Sequence, residues 1–143
     1  MMAVNCGAAG SLCDDFTVGD IVNVKESRIS ENGILRNDIC RLAAHSCSLT
    51  GYSNGLLLTV DKPIFDPALK EKLSELTHLV DMEGGIIARI CEQHNIPCQL
   101  IKIISDNATK RNQLKKNLAR VSEKLANKIV IDLNRIFSQE LTA

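Results

Sequence analysis

Aromatic residues are scarce in this 143-residue chain, and long hydrophobic runs are absent. There is no Trp, one Tyr and three Phe, and none of them lies in a basic cluster. Proteins that bind single-stranded nucleic acid combine aromatic stacking with basic grooves, so a nucleic-acid role ranks last. The longest apolar runs, such as Gly55–Val60 and Ile86–Ala88, are far shorter than the roughly 20 residues of a membrane-spanning helix. We therefore expect no contact with a membrane.

The chain has no net charge, and its first residues do not resemble a secretory signal. Its 17 Lys and Arg balance 17 Asp and Glu, although residues 107–143 carry +5 and residues 1–106 carry −5. A basic segment of this kind is more typical of the solvated face of a helix than of a nucleic-acid site. The first residues have no basic region before an apolar stretch. We expect a cytoplasmic protein with a single domain over residues 1–143.

Metal-binding and redox motifs are missing as well. There is no C-x-x-C pair, and the cysteines form three pairs that are each seven residues apart: Cys6/Cys13, Cys40/Cys47 and Cys91/Cys98. Seven residues of helix rise about 10 Å, which is too far for a disulfide or a shared metal ion. His45, His78 and His94 fit no ligand or triad spacing. The sequence predicts free, mostly buried thiols, no metal site and no cofactor.

The hydrophobic pattern predicts alternating strands and helices. The predicted strands are Ala3–Ala9, Asp20–Val24, Gly55–Val60, His78–Met82 and Cys98–Ile104. The predicted helices are Asn37–Cys47, Pro67–Leu76 with Asp66 as its N-cap, Glu83–Asn95 and Ala108–Phe137. The last helix carries one apolar stripe formed by Leu114, Leu118, Val121, Leu125, Ile129, Leu133 and Ile136. This order predicts a layered α/β domain.

Small and acidic residues follow the predicted strands. The strand ends are 7–10, 61–64, 81–83 and 105–106, and three of these four segments contain a carboxylate. Ligands of open α/β sheets bind at the carboxyl ends of strands. The sequence therefore predicts a binding site built from these four segments.

Those segments resemble the nucleoside phosphorylase/nucleosidase superfamily, most closely its methylthioadenosine/S-adenosylhomocysteine nucleosidases and futalosine hydrolases. Val4–Leu12 followed by Val18–Val22 is similar to the glycine-rich strand end and V-G-D-I/V-V segment of that family. Val80–Gly84 is similar to V-[DE]-M-E-[GA], and Ile103–Asp106 to the end of R-x-[IV]-S-D. Four motifs in order form a specific signal. The resemblance implies a three-layer α/β/α fold with a mixed central sheet, truncated at the N-terminus to the later part of the family fold, and we expect a homodimer.

The resemblance also implies roles for residues. Asp106 would protonate the leaving purine and Ser105 would orient it, while Glu83 would hold the ribose of the nucleoside substrate. The other positions that match substrate-binding residues are Met82, Asp81, Ala8, Ala9, Gly10, Pro63 and Ile64. Lys102 stands where the family motif has Arg, so it keeps the charge but lacks the planar fork. If the strand continued through Glu83, Asp81 and Glu83 would share one face.

Structural explanations compete with these roles. Ser105 and Asp106 are a good pair for capping the following helix, Glu83 suits a helix start, and Pro63 and Ile64 suit a hydrophobic core. Residues 8–10 suit a tight turn. Three functions remain open: hydrolysis of a purine nucleoside, phosphate-dependent cleavage, and binding without catalysis by a truncated relative.

Overall fold

The computed structural model describes residues 2–42, 51–108 and 111–140, with side chains for all of these except 111 and 135–140. The described residues form seven strands and three helices. The strands are β1 (Ala3–Ser11), β2 (Ile21–Glu31), β3 (Ile34–Leu35), β4 (Cys40–Arg41), β5 (Ser53–Val60), β6 (Leu79–Asp81) and β7 (Cys98–Asp106). The helices are α1 (Pro67–Ser74), α2 (Gly84–Gln93) and α3 (Arg111–Glu140). No helix in these described ranges is long and apolar enough to cross a bilayer.

The strands belong to one mixed sheet in the order β3-β2-β5-β6-β1-β7. β2 additionally pairs with β7, so that β2, β5, β6, β1 and β7 form a closed ring of pairings. Three of these pairings are parallel (β1–β7, β2–β5 and β5–β6). The pairings β1–β6 and β2–β7 are antiparallel. The mixed sheet confirms the predicted α/β class.

Helices cover both faces of β7, and its side chains point alternately into two hydrophobic clusters. Leu100 and Ile104 belong to a buried cluster that includes residues of α2. Ile101 and Ile103 belong to a second cluster, which includes residues of α3. Period-two alternation with both faces buried gives the near-continuous apolar run that marked this strand in the sequence. The sheet therefore lies between helical layers, as predicted.

The middle of α3 forms most of its contact with the sheet. Of the predicted apolar stripe, Val121 and Leu125 are buried and Ile129 is half-buried. In contrast, Leu114, Leu118 and Leu133 are exposed, and Ile136 lies outside the described side chains. The helix is therefore in contact with the sheet over a shorter length than the periodicity suggested.

Two predicted elements differ from the structure. The predicted helix Asn37–Cys47 is wrong where it can be tested, since Cys40–Arg41 forms β4 against β2; its residues 43–47 lie outside the described residues. The second strand extends to Glu31 rather than ending at Val24. A register shift between Val24 and Glu26 interrupts its pairing with β5. Such a bulge breaks the alternation by which a strand is detected.

The Cys91/Cys98 pair does not lie within one helix, which the estimate from helical rise assumed. Cys91 lies in α2 and Cys98 begins β7, and the chain reverses between them at Asn95, which has a φ of 53°. The two residues belong to the same buried cluster. The argument from helical rise therefore fails for this pair, because the helix ends at Gln93. All five described cysteines are free, and Cys40, Cys91 and Cys98 are buried.

Candidate active site

A β-bulge forms the end of β7. The strands β1 and β7 pair in register from Ala3 with Cys98 to Ala9 with Ile104, and Gly10 then pairs with Asp106. Ser105 is thus the extra residue. In a regular strand, consecutive side chains point to opposite faces, whereas a bulge redirects one of them. Here both Ser105 and Asp106 are buried.

The carboxyl group of Asp106 is held by its neighbour. Ser105 Oγ donates a hydrogen bond to Asp106 Oδ2 at 2.7 Å and also lies 3.2 Å from the Ala9 carbonyl oxygen. Asp106 keeps 8% of its surface exposed. Both residues end β7, whereas α3 begins at Arg111. Among the described residues, neither side chain forms a hydrogen bond to the backbone of α3.

Gly10 connects this strand end to β6. It pairs with Asp106 on one side and with Val80 on the other. A Cβ atom on Gly10 would lie 3.1 Å from both Asp106 Oδ1 and Ala108 Cα. The close approach therefore requires a very small residue. Ala9 is also buried, and Ala8 is half-buried, so the small residues of β1 allow this packing.

The side chain of Asp81 lies inside the protein. Its Oδ2 is 2.8 Å from Lys102 Nζ and accepts a 2.9 Å hydrogen bond from the backbone N–H of Gly84. Its Oδ1 accepts a hydrogen bond from Thr59 Oγ1 at 2.5 Å. Lys102 is only 2% exposed, and its Nζ also donates to Asn5 Oδ1 at 2.6 Å. Asp81 thus anchors the first turn of α2 to β5 and β7.

Met82 and Glu83 lie on the turn that Asp81 anchors. β6 ends at Asp81, so the condition for Asp81 and Glu83 to share a strand face is not met. Glu83 is the N-cap residue of α2, yet its side chain makes no capping hydrogen bond. Both Met82 and Glu83 are exposed. The Glu83 carboxylate occupies the helix start without being used by the helix.

The predicted base-pocket residues separate into one core and one surface residue. Ile64 is buried in a cluster with Val80, against which Ala108 also packs. Pro63 is exposed. The core explanation is therefore correct for Ile64 and wrong for Pro63. The cluster brings Ile64 close to the Gly10 pairing through Val80 and Ala108.

Histidine has structural roles in the described residues. His78 Nδ1 accepts a 3.2 Å hydrogen bond from the Leu56 N–H, and its ring meets Phe16 edge-on. His94 caps the C-terminus of α2, and His45 lies outside the described residues. Within the described ranges, no three His, Cys, Asp or Glu residues are grouped to hold a metal ion.

A cleft of about 630 Å³ lies elsewhere, between the start of β2 and α3. Its lining includes Asp20, Arg120, Lys124 and Lys128 and none of the predicted site residues. Several of its charges are used internally: Lys124 Nζ donates to the Gly19 carbonyl at 2.6 Å, and Asp20 accepts from Thr17. The candidate catalytic carboxylates therefore lie at the strand ends and not in this cleft.

Comparison with known proteins decides the family. A family model described as the phosphorylase superfamily matches residues 29–133. This chain belongs to the phosphorylase superfamily. The match includes the strand ends at Asp81 and Asp106, and β1 lies before its first residue.

The relatives of this superfamily member include nucleosidases. A 5'-methylthioadenosine/S-adenosylhomocysteine nucleosidase of Shewanella pealeana is 28% identical, with 73% of this chain and 56% of that protein covered. The corresponding protein of Anoxybacillus flavithermus is 27% identical, with 94% and 70% covered. The chain thus spans little more than half the length of the Shewanella protein.

Solved structures confirm the superfamily fold. The Helicobacter pylori 5'-methylthioadenosine/S-adenosylhomocysteine nucleosidase in complex with butyl-thio-DADMe-Immucillin-A has a TM-score of 0.80 at 20% identity, and 94% of this chain and 68% of that chain are covered. The futalosine hydrolase of the same organism has a TM-score of 0.79 at 20% identity, with the same coverage. At this identity the likeness establishes the arrangement of the elements.

Proposed function

We propose that this chain cleaves the N-glycosidic bond of a purine nucleoside by hydrolysis. One observation carries the proposal: a buried carboxyl group, Asp106, is held by Ser105 at the end of β7 and packs against Gly10. A carboxylic acid that is partly removed from water and oriented by one hydrogen bond is suited to general acid catalysis.

The reaction assigns one task to each carboxylate. The C1′–N9 bond breaks, its electron pair moves to the purine, and Asp106 delivers a proton to N7 of the leaving base. The ribose becomes oxocarbenium-like, and a water oxygen then bonds to C1′ and releases its proton to solvent, from which the Asp106 carboxylate is reprotonated. Glu83 accepts hydrogen bonds from the ribose hydroxyls and stabilises the positive charge. The uncapped side chain of Glu83 and its exposure support this role.

The names of the relatives suggest which substrates to test first. They are 5'-methylthioadenosine/S-adenosylhomocysteine nucleosidases and, among the structures, a futalosine hydrolase. We propose that residues 8–10 offer backbone N–H groups to the sugar, that Met82 packs on it, and that Pro63 and Ile64 border the base. Phosphate-dependent cleavage is the second candidate, because the superfamily is named for it. Ala8 offers no hydroxyl to a phosphate, which favours hydrolysis.

The test uses the purified full chain with 5'-methylthioadenosine, S-adenosylhomocysteine, futalosine and inosine, with and without phosphate. Free base is measured by chromatography. We expect release of base without phosphate, and a loss of about 10²-fold or more in kcat for Asp106→Asn. Asp132→Asn is a matched control, because Asp132 is also buried and paired, 2.8 Å from Lys128, but lies on α3.

Each outcome has a distinct meaning. Release that needs phosphate would make the protein a phosphorylase. Release that is equally fast in Asp106→Asn would refute the role of Asp106. A folded chain that binds nucleosides without cleaving them would be a non-catalytic relative. The expected homodimer, the cytoplasmic location and the single-domain organisation stay predictions; sedimentation of the purified chain tests the first.

A further inference from the structure

Two amide side chains of α3 contact the backbone on either side of Asp106. Asn117 Nδ2 donates a 3.0 Å hydrogen bond to the carbonyl oxygen of Ser105. The backbone N–H of Asn107 donates to Gln113 Oε1 at 3.1 Å. Gln113 and Asn117 are four residues apart, so they lie one above the other on the same helix face. Both are half-buried.

This segment needs support from outside its own strand. The extra residue of a bulge disrupts the regular ladder of hydrogen bonds, and here that residue is Ser105, immediately before Asp106. β7 ends at Asp106. The two contacts from α3 therefore fix the backbone at Ser105 and Asn107, where the strand ladder is irregular or has ended.

We propose that Gln113 and Asn117 are positioning residues that hold Asp106 in place for proton transfer. The proposal rests on the proposed function of Asp106 and adds two residues to it. General acid catalysis requires the acid to lie within hydrogen-bonding reach of the atom it protonates, and a displacement of about 1 Å can cost about 10²-fold in rate.

The two contacts have opposite polarity, which provides a sharp test. Gln113 accepts a hydrogen bond, and a carboxylate accepts equally well, so Gln113→Glu keeps the contact. Asn117 donates, and an ionised carboxylate has no donor, so Asn117→Asp loses the contact and places an oxygen against the Ser105 carbonyl. Each exchange keeps the size and shape of the side chain. A role in general packing alone would make the two exchanges equivalent.

The first measurement is steady-state kinetics on the full chain. We expect Asn117→Asp and Gln113→Leu to lower kcat by about 10- to 100-fold with KM within about threefold, because an acid used in the transition state affects kcat. Gln113→Glu is expected to recover most of the loss caused by Gln113→Leu. In an Asp106→Asn background, Asn117→Asp should cause no further loss, since residues that act as a unit are not additive.

The matched control is Lys124→Met. Lys124 is also an α3 side chain that donates to a backbone carbonyl, that of Gly19, but it lies away from Asp106. If Lys124→Met lowers kcat as much as Asn117→Asp, the effect comes from loosening of α3 and the proposal is wrong. Equal kcat in Asn117→Asp and wild type would also overturn it.

A second measurement does not depend on turnover. Hydrogen exchange of the Asn107 amide should be about 10-fold or more faster in Gln113→Leu than in wild type, and close to wild type in Gln113→Glu. Unchanged exchange in Gln113→Leu would overturn the proposal, whatever the activity. Faster exchange in a chain that cleaves no nucleoside would refute the proposed function and leave the contact between α3 and the β7 end supported.

Discussion

Replacing Gly84 with alanine would test the packing around the buried Asp81–Lys102 pair. A Cβ atom at position 84 would lie 2.7 Å from Asp81 Oδ2, 2.9 Å from Leu57 Cδ2 and 3.1 Å from Lys102 Cε. Non-bonded carbon atoms pack best at about 3.5–4.0 Å. Three neighbours from three different strands would have to move at once, and one of them is part of an ion pair.

The magnitude follows from two opposing terms. Overpacking of a well-packed interior costs about 1–3 kcal/mol. Alanine is favoured over glycine within a helix by up to about 1 kcal/mol, but Gly84 is the first residue of α2 and gains only part of this. We therefore expect Gly84→Ala to lower the free energy of unfolding by about 1–2 kcal/mol. For a domain of this size, that corresponds to a fall in Tm of roughly 3–8 °C.

The assay is thermal unfolding followed by far-UV circular dichroism, with Gly7→Ala as the control. A Cβ atom on Gly7 would meet only Lys102 Nζ, at 3.6 Å, which is an ordinary contact. Gly7→Ala removes a glycine near the same lysine without overlap, so its Tm should stay within about 2 °C of wild type. The reasoning is refuted if Gly84→Ala melts at the wild-type temperature, or if both variants fall equally.

Two further perturbations follow from burial. Ile103 is fully buried between β7 and α3, so Ile103→Ala should lower the free energy of unfolding in urea by about 2–5 kcal/mol. Leu133 is 41% exposed, so Leu133→Ala should lower it by less than about 1 kcal/mol. Equal losses in the two variants would contradict the described core. Burial, and then the hydrogen bond with Cys91, raises the pKa of the Cys98 thiol from 9.0 to about 12. The native state thus holds this proton more tightly than the unfolded state, so the associated stability is complete below pH 9 and is lost as the pH rises towards 12. Unfolding measured between about pH 8 and pH 11 should show a weaker decline for Cys98→Ala than for wild type, and equal declines would count against the assignment.

The sequence predicted the elements whose signals are local. The Asp66–Pro67 start of α1 is confirmed, with Asp66 Oδ1 accepting from the Ala68 N–H at 2.9 Å. The buried strands β5 and β7 also lie where their apolar runs indicated. By contrast, the second half of β2 was hidden, because the register shift after Val24 interrupts the alternating pattern. Elements whose sequence pattern lies within one segment were predicted correctly, whereas the part of β2 that depends on pairing with another strand was not.

The same division applies to the candidate site. Motif similarity indicated Ser105 and Asp106, but the bulge that buries both of them depends on the register of β1 against β7. Lys102 offered a usable clue, since a single charge within an apolar strand must find a partner if it is buried. Its partners, Asp81 and Asn5, lie on two other strands. Strand register cannot be derived from one segment alone, so these contacts could not be predicted.

The pairing of β1 with β7 also sets the order in which this molecule can assemble. Val22 pairs with Ser53 and Leu57 with Leu79, which are moderate separations along the chain, whereas Ala3 pairs with the much more distant Cys98. Contacts between distant segments form late because their loop closure costs more entropy. We expect β2, β5 and β6 to associate first during synthesis, while β1 remains without its long parallel partner until β7 has been made. The bulge that carries Asp106 can then form only after β7 has been made, and its contacts with Gln113 and Asn117 form only after α3 has followed.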